Sequence, residues 1–388
     1  MDMRILLRGR GLSVGLVLAS GAWGCGGSHP GAAPADGGDD GTLVEAGGEG
    51  GSTDGGAESA ALNGTPGTFN VFDAIPQFGI YTSTDPANYT PPGGVLMWSH
   101  GTVFVTQLGA DQQAQIGSDL AARITYIAQC DNYDRLGGIF FIVEPKGQAP
   151  QPTDPRTEIV RFITPFSDYA RGPNATHVYP DADISPYAQV LADTSHDVWV
   201  GIAGGSNPYS GDPCVARDAG GADYQAIGFK YSLDFVSTQQ LTLGPSVVLT
   251  AVSDVSESAT PIDGGFDAPD AALTGNVTVI VSGHGSGAGG DEYENTKDTV
   301  TLNGAQVGTF DTMIDCSGYA KYSPDGNPGI FQGNTTSNPR NWCPGALVPS
   351  HTFPATLNPG TNTVSLGIVQ AAVPSGSYYP TTINFTSP

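Results

Sequence analysis

Apolar residues along this chain recur in short β-branched and aromatic runs cut by Gly, Pro, Asn or Asp, the signature of strands rather than helices. Val95 to Trp98, Thr102 to Thr106, Arg123 to Ala128 and Gly138 to Val143 read as strands, and the signal returns at Thr157 to Thr164, His196 to Ile202 and Tyr224 to Val236. After Leu243, Gly244 and Pro245 a second series opens at Val247 to Val252. It continues through Gly275 to Ser282, Asp298 to Leu302, Ala346 to Phe353, Thr363 to Gln370 and Tyr378 to Phe385. Ala110 to Ala122 has helical propensity without an apolar stripe and reads as a loop or short helix. Asp263 to Asp270 reads as a Gly/Asp-rich loop, and the segment from Asp311 to Cys343 as a long functional loop. No short fixed repeat is present, which disfavours a propeller or solenoid. The expectation is an all-β chain of two antiparallel sandwiches in series, over 68–242 and 243–388.

Ahead of these sandwiches the pattern changes. Arg4, Arg8 and Arg10 precede an apolar run from Leu12 to Ala19 that is too short to span a bilayer, and small residues follow up to Cys25. Residues 1–25 therefore read as an export signal, and Ala22-Trp23-Gly24-Cys25 resembles a bacterial lipobox. Residues 26–67 are mostly Gly, Ala, Asp and Ser with little to bury, the composition of a flexible tether. The expected location is outside the cytosol, as an outer-membrane lipoprotein or a secreted protein. A lipid at Cys25 would be the only membrane contact.

Charge narrows the partners. With Asp+Glu 38 against Lys+Arg 14 the formal net charge is −24, so nucleic acid is repelled at long range. The six histidines include no His-x-His pair and there is no Cys-x-x-Cys, which leaves a zinc or copper site unsupported. Export permits disulfides among Cys130, Cys214, Cys316 and Cys343. Three pairings exist, of which Cys316 with Cys343 closes the long loop and Cys130 with Cys214 is the complement.

Only 13% of residues are charged, yet Cys130-Asp131-Asn132-Tyr133-Asp134-Arg135 gathers two carboxylates, a ring and a guanidinium. An Arg beside an Asp lowers the carboxylate pKa and orients it, so the expectation is an ionised carboxylate here. A second acidic cluster, Asp291, Glu292 and Glu294, follows the glycine-rich turn around His284. Carboxylates contributed by two domains suit acid/base work on a bond held between them.

Four motifs in the same order resemble the peptide-N-glycosidase F family. Cys130-Asp131-Asn132-Tyr133-Asp134-Arg135 is similar to that family's Cys-Asp-Glu-Trp-Asp-Arg, and Arg161-Phe162-Ile163-Thr164-Pro165-Phe166 to its Arg-Phe-Ile-Thr-Pro-Tyr. Val281-Ser282-Gly283-His284-Gly285-Ser286 is similar to Ile-Ser-Gly-Trp-Gly-His, and Trp342-Cys343-Pro344-Gly345-Ala346-Leu347-Val348-Pro349 to Trp-Cys-Pro-Gly-Met-Ala-Val-Pro. The resemblance implies two jelly-roll domains packed side by side. It implies an amidase that needs no cofactor and acts as a monomer on N-linked glycoproteins or glycopeptides. Asp134 falls on the family's principal carboxylate, Arg135 on its neighbouring arginine and Glu292 on the second carboxylate. Arg135 is expected to keep Asp134 ionised, while Tyr133, His284 and Trp342 are candidates for sugar contacts. Departures accompany the matches: Gly201 or Ile202 stands where the family has a third carboxylate, His284 replaces a tryptophan, and Gly290 and Glu294 replace two cysteines. A glycan-binding module on the same fold is the alternative, and a copper monooxygenase ranks last for want of histidine and methionine ligands.

Overall fold

The computed structural model describes residues 62–388 apart from 132, 167–174, 209–225, 258–260, 286–291, 293–296, 323–339 and 369–377. The export segment with Cys25, nearly all of the tether, Cys214, Gly290, Asp291 and Glu294 lie outside the described residues. Among the described residues no helix is long and apolar enough to cross a membrane.

Ten strands form the first sandwich: β1 (Thr68–Gln77), β2 (Val95–Trp98), β3 (Val103–Gln107), β4 (Leu120–Ala128), β5 (Leu136–Glu144), β6 (Thr157–Ile163), β7 (Thr176–Val178), β8 (Ala182–Asp183), β9 (Asp197–Ala203) and β10 (Phe229–Ser237). The two-residue alternation of β4 and β10 explains why they lie at its centre. Leu120, Ala122, Ile124, Tyr126 and Ala128 face the core from β4, and Phe229, Tyr231, Leu233 and Phe235 from β10. Antiparallel register sets Tyr231 opposite Tyr126 and Leu233 opposite Ile124, so buried positions meet buried positions across the pair.

The second sandwich holds β11 (Val247–Glu257), β12 (Ile262–Ala268), β13 (Leu273–Val281), β14 (Lys297–Leu302), β15 (Ala305–Asp311), β16 (Ser350–Leu357), β17 (Gly360–Gly367) and β18 (Tyr379–Ser387). Its sheets run β11-β18-β13-β16 and β12-β17-β14-β15. Counted along the domain this is first, eighth, third, sixth against second, seventh, fourth, fifth, the interleaving of a jelly roll. The first sandwich repeats it as β1-β10-β4-β7 against β3-β9-β5-β6, with β2 added beyond β3 and β8 paired to β4. The chain is thus two jelly rolls, as the motifs imply.

Two sequence readings change. The expected loop at Asp263 to Asp270 is strand β12, paired over its whole length with β17. Its alternation is hidden because an inward position is Gly264, where a Cβ would come within 2.7 Å of a Val252 methyl. β15, which the pattern leaves unassigned, is mostly exposed and therefore carries no apolar period. Within Ala110 to Ala122, Ala110–Gln113 forms one short helix and β4 begins at Leu120.

The sandwiches meet at β6. Its residue Arg161 is wholly buried and pairs with the Glu158 carboxylate through Nε at 2.9 Å, while its Nη1 donates to the Pro380 carbonyl of β18. Thr382 donates to the same carboxylate, Asn384 Nδ2 donates to Glu158 O at 2.8 Å, and Thr157 and Thr250 hydroxyls lie 2.8 Å apart. The chain after Cys343 then adds to the free edge of β6. Gly345 N donates to Ile163 O at 3.0 Å, Ile163 N to Ala346 O at 2.9 Å and Val348 N to Arg161 O at 2.9 Å. Two of the motifs singled out in the sequence are therefore hydrogen-bonded partners across the domain junction.

Removing one member of a buried ion pair leaves the other charge uncompensated. Glu158→Ala is expected to lower stability by about 3–5 kcal/mol in urea unfolding, because the wholly buried Arg161 then keeps only the longer ion pair with Asp254 at 3.5 Å.

Candidate active site

From the first sandwich the site takes the loop between β4 and β5. Asp131, only 1% exposed, anchors it: Oδ1 accepts from Tyr133 N at 2.9 Å, and Oδ2 accepts from Arg135 Nε at 2.8 Å and from Asn207 N at 2.6 Å. Arg135 Nη2 adds a longer bond to Oδ1 at 3.3 Å. Thr164, just past β6, fixes the other side. Its hydroxyl accepts from Arg135 N at 2.6 Å and donates to Tyr133 O at 3.1 Å. Tyr133 stays 53% exposed with its ring 5.2 Å from that of Phe166. Cys130 is disulfide-bonded; Cys214, its expected partner, lies outside the described residues.

From the second sandwich comes the segment between β15 and β16, closed by the expected disulfide Cys316–Cys343. Arg340 exchanges backbone hydrogen bonds with Ile314, and Asn341 N donates to Glu292 O at 3.0 Å. This places the buried Arg340 guanidinium in an ion pair with the Glu292 carboxylate. The same guanidinium lies 3.8 Å from the centre of the Trp342 ring. Trp342 continues into a stack, with His284 at 5.2 Å and Tyr378 beyond it at 5.1 Å, the planes within 23° and 12°. Trp342 Nε1 donates to Gly283 O at 3.1 Å, and His284 Nε2 is hydrogen-bonded to Ser282 Oγ at 2.8 Å. Tyr378, His284, Trp342 and Arg340 form one column of planar groups.

Electrostatics join the halves. Burial lifts the Asp134 carboxyl to about 6, against the opposing pull of Arg340 first and Arg135 second, with Asp131 adding to the rise. Arg340 is itself lowered to about 10 by burial, with Asp134 opposing that shift. Asp134 of one domain and Glu292 of the other thus share the field of one guanidinium. His284 is pushed down to about 3 by burial, then by Arg161 and Arg340, so the column carries a neutral imidazole at neutral pH.

One sequence expectation is corrected here. Arg135 does not take Asp134 as its partner; its guanidinium is bound to Asp131, and the Asp134 carboxyl sits above rather than below the ordinary aspartate range. Trp342 and His284 are buried, so they present little ring surface, whereas Tyr133 stands on the rim. Sequence reading missed Arg340 and Tyr378. Arg340 lies two residues before a recognised motif, and its rarity as one of 14 Lys+Arg in the chain is the signal that was available. The place of the third carboxylate is closed to a side chain at Gly201, where a Cβ would lie 2.1 Å from the Phe140 ring, and Ile202 is wholly buried in the first core. Among the described residues no three His, Cys, Asp or Glu side chains assemble into a metal-binding group.

Residues 253–382 match the family model described as peptide-N-glycosidase F, C terminal. Among solved structures, PNGF-II aligns with a TM-score of 0.60 at 19% identity, covering 82% of this chain and 65% of that one. This chain therefore spans just under two thirds of the PNGF-II length, and at that identity the likeness shows the fold. PNGase F, a glycosylasparaginase from Flavobacterium meningosepticum, aligns at 16% identity with a TM-score of 0.49, covering 82% of this chain and 94% of that one. No curated protein matches the chain.

A histidine held neutral by burial is protonated in the unfolded chain first, so its contribution to stability is present above about pH 6.5 and drains away as pH falls toward 3. NMR of the His284 ring should accordingly find no titration between pH 5 and 8. A midpoint near the ordinary histidine value would contradict the buried stack.

Proposed function

We propose that this chain, whose C-terminal domain belongs to the peptide-N-glycosidase F family, is an exported amidase that cleaves the glycan–asparagine amide bond of N-linked glycoproteins or glycopeptides. The observation that supports this reading is that the buried Arg340 guanidinium is ion-paired with the Glu292 carboxylate of its own domain and also exerts its electrostatic pull on Asp134 of the other. Export, through the leader and a lipid or free end at Cys25, belongs to the same proposal.

Hydrolysis of a glycosylated asparagine consumes one water and yields an aspartate side chain and a glycosylamine. Asp134 takes a proton from the water as its oxygen attacks the amide carbon, and returns that proton to the departing nitrogen. A carboxyl near 6 suits both halves of this transfer at neutral pH, being ionised at rest and acidic enough once protonated to give the proton up. Glu292, ion-paired with Arg340, accepts hydrogen bonds from hydroxyls of the first sugar and orients the amide. Tyr133, exposed beside Asp134, offers its ring to a sugar face. The proton path uses only groups of the chain itself.

The closed space at Gly201 favours a second reading, a glycan-binding module that retains the groove but lacks the chemistry. Incubation with an N-linked glycopeptide separates the two: release with conversion of Asn to Asp, read by mass spectrometry, supports the amidase, and binding without release supports the module. For the amidase, Asp134→Asn is expected to reduce turnover by about 10²–10⁴-fold. The acid limb of the rate profile should fall near pH 6, where Asp134 protonates. Arg340→Met removes a positive charge that favours the ionised carboxylate, so that limb should move to higher pH. An unmoved limb would exclude Asp134 as the titrating base.

A further inference from the structure

Asp131 is the most heavily bonded carboxylate at the site, yet it has almost no exposed surface from which to meet a substrate. Four N–H groups converge on it, two on each oxygen: Tyr133 N and Arg135 Nη2 on Oδ1, Arg135 Nε and Asn207 N on Oδ2. Its own N–H donates to Gly228 O at 3.0 Å, at the start of β10. The carboxylate therefore ties the catalytic loop to the chain after β9, and the Asp131 N–H ties it to the entrance to β10. All of these belong to the first sandwich.

We propose that Asp131 is a positioning residue that selects the charge partner of Asp134: by holding the Arg135 guanidinium in a two-pronged pair, it leaves Asp134 to Arg340 of the other domain. Arg135 is the residue adjacent to Asp134 and, unclaimed, has the reach to pair with it. Such a pair would lie within one domain and would compete with the field that draws Asp134 and Glu292 to the same guanidinium. Thr164 restrains the backbone of Arg135, through its N–H and carbonyl, while Asp131 and a long contact at 3.5 Å with Asn207 O hold its guanidinium. The cation–ring contact with Tyr133, 5.2 Å from the Arg135 guanidinium carbon to the ring centre, follows from the same orientation. In this arrangement Asp131 also keeps Tyr133 on the rim, since the Tyr133 N–H is bound to it. The charged groups acting on Asp134 are Arg340, Arg135 and Asp131. Glu292 acts on it through the shared Arg340.

The inference rests on the proposed amidase reading only for its kinetic arm; its direct arm needs no substrate. Carbon-13 NMR of the Asp134 carboxyl follows its titration in the folded protein. In Asp131→Asn the neighbouring negative charge is gone and Arg135 is released toward Asp134, so the midpoint is expected to fall by on the order of one pH unit. With an N-linked glycopeptide as the probe, kcat is expected to drop about tenfold or more with KM changed little, and the acid limb to follow the carboxyl downward. Loss of packing alone would not move the limb in that direction. Should Asp131→Asn fail to fold, two other variants carry the test: Arg340→Met is expected to raise the Asp134 midpoint more than Arg135→Gln does. An unchanged midpoint in Asp131→Asn, or a larger rise in Arg135→Gln than in Arg340→Met, overturns the proposal. If the wild type releases no glycan while the midpoints move as described, the amidase reading fails and the positioning role stands.

Discussion

The arrangement of this molecule depends on what happens along β6. An edge strand presents unpaired backbone groups, and here that edge is completed by Gly345 to Val348 from the other domain. Behind it, Glu158 and Arg161 are buried as a pair that also bonds to Pro380 O and Thr382 of β18 and, more distantly, to Asp254 of β11, while Asn384 donates to the Glu158 backbone carbonyl. A buried ion pair is a poor source of net stability, and this one lies within β6 itself, so what another docking of the sandwiches would lose is its hydrogen bonds to β18. Those bonds tie the relative placement of the two jelly rolls to β6 and β18.

Everything at the site inherits that placement. Thr164, just past β6, pins the backbone of Tyr133 and Arg135, while Gly345 and Ala346, paired to the same strand, follow Trp342 and Cys343 after one proline. One strand thus supplies the reference frame for both halves of the site. Arg340 is then carried to Glu292 and Asp134 at the end of the column formed with Trp342, His284 and Tyr378. The column works because its histidine is neutral: a charged imidazole would oppose both Arg161 and Arg340. The imidazole of His284 completes the planar stack and is hydrogen-bonded to Ser282.

Much of the fold was legible in the chain. Period-two burial in β4 and β10 and Gly/Pro punctuation between runs mark these strands without reference to any partner. β12 was not legible, because its inward position is a glycine whose reason for being there is the Val252 methyl of another strand. At the site, the local density of charge from Asp131 to Arg135 marked the loop, but not which carboxylate holds which cation. Adjacency favours Asp134 with Arg135, whereas the hydrogen bonds join Asp131 with Arg135, and among the charges acting on Asp134 Arg340 outweighs Arg135.

The sequence by itself determined the all-β class, the two-domain order, the disulfide Cys316–Cys343 and the motifs that border the groove. These are carried by composition, short periodicity and residues close in the chain, which local physics expresses directly. The tertiary structure alone decided the interleaved strand order, the burial of Arg161 and the placing of Asp134 in the field of Arg340, residues some two hundred positions apart. Charge partnerships over such separations depend on which edges pair and what is left without water. Those conditions exist only once the two sandwiches have docked.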